Sequence, residues 1–133
     1  MVKSKRVPEI LIKWAQKTKT LDESEKMLET LLSDPDEYSA EIQYMRESIS
    51  ALNAEMDDNR EEVERLLQSL RFDFHAFMFA RLHYFCAMPW DAVAEFVGYG
   101  SSTFAIKQRV YRAFENSNSE KAIRRIAQLS DEI

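Results

Sequence analysis

Three side chains in this sequence are soft or borderline metal ligands: His75, His83 and Cys86. On one helix His83 and Cys86 would share a face, with His75 eight residues before His83. Zinc sites usually take four ligands, and neither a CxxC nor an HExxH spacing is present. Cys86 and His83 also fail as a nucleophile and base, because no third group to orient the base and no oxyanion donor can be named. The acids between residues 21 and 70 fall on a solvated helical face, not in a recognisable catalytic pair. Both glycines, Gly98 and Gly100, sit in one short turn, so no glycine-rich phosphate loop exists. The sequence therefore predicts a protein that is not an enzyme, with no cofactor and no metal.

The residues that could do recognition chemistry lie after that turn. Between Phe96 and Phe114 there is no acid, while Lys107, Arg109 and Arg112 supply positive charge. A helix from about Ser102 to Glu115 would bury Phe104 or Ile106, then Val110 and Phe114. Its other side suits the major groove of double-stranded DNA, with N-terminal residues at base edges and cations on phosphates or guanine. Ser101, Ser102, Thr103, Ala105, Lys107, Gln108 and Arg109 are expected nearest DNA, and Arg112 on the backbone. Gln108 could read adenine and Arg109 guanine. The alternative is a solvated basic face in an ordinary helical bundle.

Such a helix needs a partner and a sharp turn. Met88-Pro89-Trp90 through Val97 reads as a short helix started by Pro89 or Trp90, with Val93, Phe96 and Val97 as its buried face. Ala94 is small where two helices would cross. Gly98-Tyr99-Gly100-Ser101-Ser102 supplies residues able to reach positive φ, and Ser101 or Ser102 can cap the next helix. Ser117-Asn118-Ser119-Glu120 is a capping-box pattern leading to a last helix with Lys121, Arg124 and Arg125, which add phosphate contacts or are simply surface. Before all this, Phe72, Phe74, Phe77, Met78, Phe79, Leu82, Tyr84 and Phe85 form the most aromatic stretch, expected as the core of the C-terminal unit.

The first half of the chain is patterned differently. Pro8-Glu9 is a helix start, and Thr20-Leu21-Asp22-Glu23 has the form of a capping box that begins a second helix. Ser33-Asp34-Pro35-Asp36-Glu37 is a turn. Ile42, Met45, Ile49, Leu52, Met56, Asn59, Val63, Leu66 and Leu70 then alternate spacings of three and four, the mark of a helix with a coiled-coil seam. Asn59 in that seam could fix register or partner number; alternatively Asp58-Asn59-Arg60-Glu61 caps a new helix. The fold class is thus all-α: an N-terminal helical hairpin or coiled-coil-like arm (1–70) followed by a C-terminal helix-turn-helix bundle (71–133).

Composition agrees with long helices, since 133 residues contain only two glycines and three prolines. The single cysteine makes no internal disulfide, and no apolar run reaches the length of a membrane span, so a cytoplasmic protein with no membrane partner is expected. The net charge of −5 is unevenly spread. Residues 1–20 carry six bases against one acid, residues 21–70 fifteen acids against four bases, and residues 89–133 six of each. An acidic total is compatible with a locally basic face.

Leu66-Leu67-Gln68-Ser69-Leu70, Phe79-Ala80-Arg81-Leu82-His83-Tyr84, Trp90-Asp91-Ala92-Val93-Ala94 and Gly98-Tyr99 together resemble the phage-encoded ArpU/RinA-type transcriptional regulators. The C-terminal module of that family is similar to region four of bacterial sigma factors, and Ile106-Lys107-Gln108 with Ala113-Phe114 resembles its recognition helix. The likeness covers roughly residues 60–115, with about two more residues after Tyr99 than the family pattern has. It implies a regulator of phage or prophage genes in the bacterial host cytoplasm. The N-terminal arm would then mediate homodimerisation or contact with RNA polymerase. The competing expectation is a helical interaction factor whose helix-turn-helix does not bind DNA. A small packaging protein of the terminase type ordinarily has its DNA module first, the reverse of the order here.

Overall fold

The computed structural model describes residues 7–98 and 102–131, and those residues are all helical apart from turns, with no strand. Among the described residues six α-helices follow in order: α1 (Glu9–Leu31), α2 (Ser39–Gln68), α3 (Phe74–Ala80), α4 (Trp90–Val97), α5 (Thr103–Asn116) and α6 (Glu120–Asp131). A π-helical turn, Arg81–Phe85, continues α3. No helix among the described residues is long and apolar enough to cross a membrane.

The first helix begins where Pro8 and Glu9 predict, but it does not restart at Thr20. Trp14, Leu21 and Leu28 recur every seven residues on the face turned to α2, so packing keeps the helix in phase through Thr20-Leu21-Asp22-Glu23. A capping box needs a non-helical residue at its start, and that would throw this stripe out of register. Asp22 instead pairs with Lys26 one turn on, at 3.1 Å. The reversal at residues 33–37 is as expected: the Glu37 amide donates to Asp34 Oδ1 at 3.3 Å, and the Ser33 hydroxyl to the Thr30 carbonyl at 2.8 Å.

From there α2 runs unbroken through Asn59 for 30 residues, about 45 Å of helix. Its seam faces α1 of the same chain, so the two form an antiparallel hairpin. Ile42, Met56, Val63 and Leu70 are buried, whereas Met45, Ile49, Leu52 and Leu66 are half-buried. Asn59 is also half-buried, and its amide donates to the Glu55 carbonyl of its own helix at 3.2 Å.

The base of the hairpin is clamped by the aromatic stretch. The Trp14 and Phe85 rings stack at 5.4 Å, and the Trp14 indole N–H donates to the Phe85 carbonyl at 3.3 Å. Arg60 lies over Trp14 and Arg81 over Phe85. The Arg81 guanidinium also makes two 2.9 Å bonds to the Glu64 carboxylate. That bidentate pair holds the Glu64 carboxyl below its usual range. One buried cluster runs from Val7, Leu11 and Trp14 through Val63, Leu67 and Leu70 to Phe79, Tyr84, Val93 and Ile106.

Within the aromatic stretch Phe79 and Tyr84 are buried, but Phe74 is exposed. It occupies the first position of α3, whose inward face is Ala76, Phe79 and Ala80, so its side chain falls outside the core. The π turn ends with Cys86 N–H bonding to Arg81 O, after which Ala87 takes a φ of 58° and Pro89 stands at the N-cap of α4. The wider turn and left-handed residue together redirect the chain within a few residues.

Candidate nucleic-acid interface

Helix α4 is short, and only Val93 of the face expected for it is fully buried; Val97 is half-buried and Phe96 is 67% exposed. Eight residues give barely two turns. With Val93 facing inward, a residue three positions on is rotated by about 60°, and at the next-to-last position of α4 Phe96 is left largely in solvent. Ala94 is half-buried and packs against the core. Gly98 closes α4 in the left-handed conformation, φ 62° and ψ 26°, donating its N–H to Glu95 O. A side chain there would meet nothing within 4 Å, so the backbone angle rather than space calls for glycine.

Tyr99, Gly100 and Ser101 lie outside the described residues, and Ser101 among the expected DNA-facing residues is therefore not placed. The chain resumes at Ser102, whose hydroxyl accepts the Ala105 amide at 3.0 Å and caps α5. Thr103 donates to Asp91 Oδ1 at 2.7 Å, tying the start of α5 to the first turn of α4. Ile106, Val110, Ala113 and Phe114 are the buried face of α5. Phe104, the other candidate for that face, is 69% exposed.

Those anchors orient the remaining side chains, because successive residues turn about 100° around a helix. Phe104, Ala105, Gln108, Arg112 and Glu115 fall on the side away from Ile106 and Val110; Ala105 and Arg112 are exposed and Gln108 is half-buried. Lys107 sits on one flank, half-buried and close enough to His83 to depress the protonation of that ring. Arg109 is on the other flank, where its guanidinium pairs with the Asp73 carboxylate at 3.0 Å. Asp73 also caps α3 by accepting the Ala76 amide. The expected site residues thus have distinct roles. Ser102 and Thr103 hold the helix end, Ala105, Gln108 and Arg112 face outward, and Lys107 and Arg109 flank them.

His83 is part of the support. Its Nδ1 lies 2.7 Å from the Met88 carbonyl oxygen, which can only accept, so Nδ1 carries the proton. The ring stacks on Trp90 at 3.8 Å and meets Tyr84 edge-on. Burial in this stack, more than the neighbouring charge, lowers its pKa. Cys86 is exposed. Among the described residues no three His, Cys, Asp or Glu side chains come together as a metal-binding group.

Beyond α5, the cap of the last helix is Ser119, not Ser117: the Ser119 hydroxyl accepts the Ala122 amide at 3.1 Å. Ser117 still belongs to the end of α5 and donates back to Phe114 O, so it cannot open α6. Lys121 and Arg125 are exposed on α6, and Arg124 pairs with Glu120.

Sequence reasoning left Phe104 and Ile106 as alternatives for the buried face; Ile106, Val110, Ala113 and Phe114 form one helical stripe, and Phe104 is about 200° from Ile106. It overlooked one feature of this region. The Asp73–Arg109 pair joins residues 36 positions apart and left no local signal. Comparison with protein-family models, curated proteins and solved structures finds no match to this chain.

Proposed function

We propose that this chain is a sequence-specific DNA-binding transcription regulator in which α4 and α5 act as a helix-turn-helix and α5 enters the major groove. The observation that carries the reading is the division of α5 into a locked inner face and an acid-poor outer one. Ile106, Val110, Ala113 and Phe114 fix its rotation, Ser102 caps its start, and Gln108 and Arg112 face outward with no acid before Glu115. Gln108 is suited to adenine or a phosphate, and Arg112 to the backbone. Assignment to phage or prophage genes rests on the sequence resemblance alone.

The arm's role in this reading is contact with another protein, RNA polymerase among the candidates. The α2 seam is filled by α1, so a homodimer through the arm would have to use a different face. One observation favours a second reading, a helical interaction factor: Phe96 and Phe104 are both largely exposed on the α4–α5 pair. Aromatic side chains in that position suit a protein surface as well as a base or sugar.

The deciding experiment is binding of the purified protein to fragments of its source genome, with competitor DNA and across salt concentrations. The regulator reading expects retention of one upstream fragment, with log affinity falling against log salt by about 0.9 per phosphate contact. A folded protein that retains no fragment at any salt concentration contradicts it and favours the interaction factor.

A further inference from the structure

The far end of the hairpin carries apolar surface that the fold does not use. Met27 and Tyr44 are 54% and 66% exposed, on facing helices. With Leu31, Ala40, Glu41 and Met45 they line an open groove of about 380 Å³. Single exposed apolar residues are ordinary, but here two large ones line the same groove, beside the half-buried Leu31 and Met45. Glu41 is the charged residue of that lining, and the stretch of chain that forms the tip is acidic: residues 22–47 contain nine acids and only two bases, and one of those bases, Lys26, is paired with Asp22. The last turn of α1 contains no base either, leaving the negative end of its helix dipole without a cation from its own turn.

We infer that this tip is a docking site for a protein that presents an apolar anchor framed by Lys and Arg side chains. The anchor would enter the groove between Met27 and Tyr44, and the basic frame would meet the surrounding carboxylates. The same charge argues against the other occupants. Nucleic acid and anionic lipid are repelled by the carboxylates, and tip-to-tip pairing of two copies brings like charges together. The inference rests on the protein-contact role proposed for the arm and gives that contact its chemistry, while DNA binding by α5 is tested separately.

The test uses the full chain and a fluorescein-labelled synthetic peptide, helical, with a Leu/Phe stripe and Lys at its remaining positions. Anisotropy should show saturable one-to-one binding that weakens with salt. Met27→Ser with Tyr44→Ser should weaken it roughly tenfold or more through lost apolar burial. Glu41→Lys, at the carboxylate that lines the groove, should weaken it several-fold, about as expected for a rim charge. Ile123→Ser, an exposed apolar change on α6, should leave it as it was. Circular dichroism confirms that each variant is folded. Three results would overturn the inference. The peptide could fail to bind, or bind regardless of the serine changes, which is mere attraction of a polycation. Sedimentation could instead show a self-associated chain that the serine changes dissociate, which assigns the groove to a second copy.

Discussion

The two ends of the α1–α2 hairpin are built from the same kind of helix pairing, yet they differ in what surrounds them. At the base, Leu11, Val63, Leu67 and Leu70 have no exposed surface, and Trp14 is held by stacking, a hydrogen bond and an overlying guanidinium. Toward the tip Ile42 is still buried, but the seam residues Met45, Ile49 and Leu52 are only half-buried, and Met27 and Tyr44 face solvent. A two-helix seam buries one stripe per helix, whereas a third element is needed to seal it. The aromatic turn after α3 supplies that third element at the base alone. Stability should therefore be concentrated at one end, leaving the other free to carry surface chemistry.

The contrast can be broken most forcefully at Trp14. Trp14→Ala removes the stack on Phe85 and opens a cavity in the sealed region, and should lower the unfolding free energy by about 3–5 kcal/mol in denaturant titrations. A loss no larger than that of an exposed-site change would mean that the base is not the anchor. Gly98→Ala forces an L side chain into a φ of 62° and should cost about 1–2 kcal/mol by the same measurement, without altering packing elsewhere.

Acid should act on the sealed end in two stages. His83 has a lowered folded-state pKa, so between that value and the ordinary 6.5 the unfolded chain binds the extra proton, and stability falls as pH drops through 6.5. Glu64, also lowered, contributes stability above the ordinary 4.5 that is lost as pH falls through its folded value. Melting temperatures of His83→Gln should lack the first stage and keep the second. At the tip, Tyr44→Ser should change unfolding free energy by no more than about 0.5 kcal/mol. A larger loss would show that the exposed ring supports the fold.

What could be read in advance followed how local each signal was. The turn at Ser33–Glu37, a serine cap on α5 and the α2 seam depend on neighbours a few residues away; the structure has the turn, a cap at Ser102, one of the two serines offered, and the unbroken one of the two readings at Asn59. Thr20-Leu21-Asp22-Glu23 was equally local but misleading, because a seven-residue packing stripe outweighed the cap. Phe74 was expected inside as part of the aromatic stretch and Phe96 as part of the α4 face, yet each lies at or next to a helix end and is exposed. The π turn and the Asp73–Arg109 pair depend on tertiary placement, for which the sequence carries no periodic trace. Consequently the phase of α5 could be read for most positions, whereas the partner that occupies Arg109 could not.

The central claim is that the outer face of α5 contacts DNA, and Arg112 tests it most directly because its side chain is exposed on that face and takes no part in the buried stripe. The measurement is the salt dependence of affinity for the retained genome fragment, compared between the native chain and Arg112→Ala. The account predicts weaker binding with a slope shallower by about one phosphate contact, alongside an unchanged melting temperature. An Arg112→Ala protein that binds with the same affinity and the same slope would contradict it.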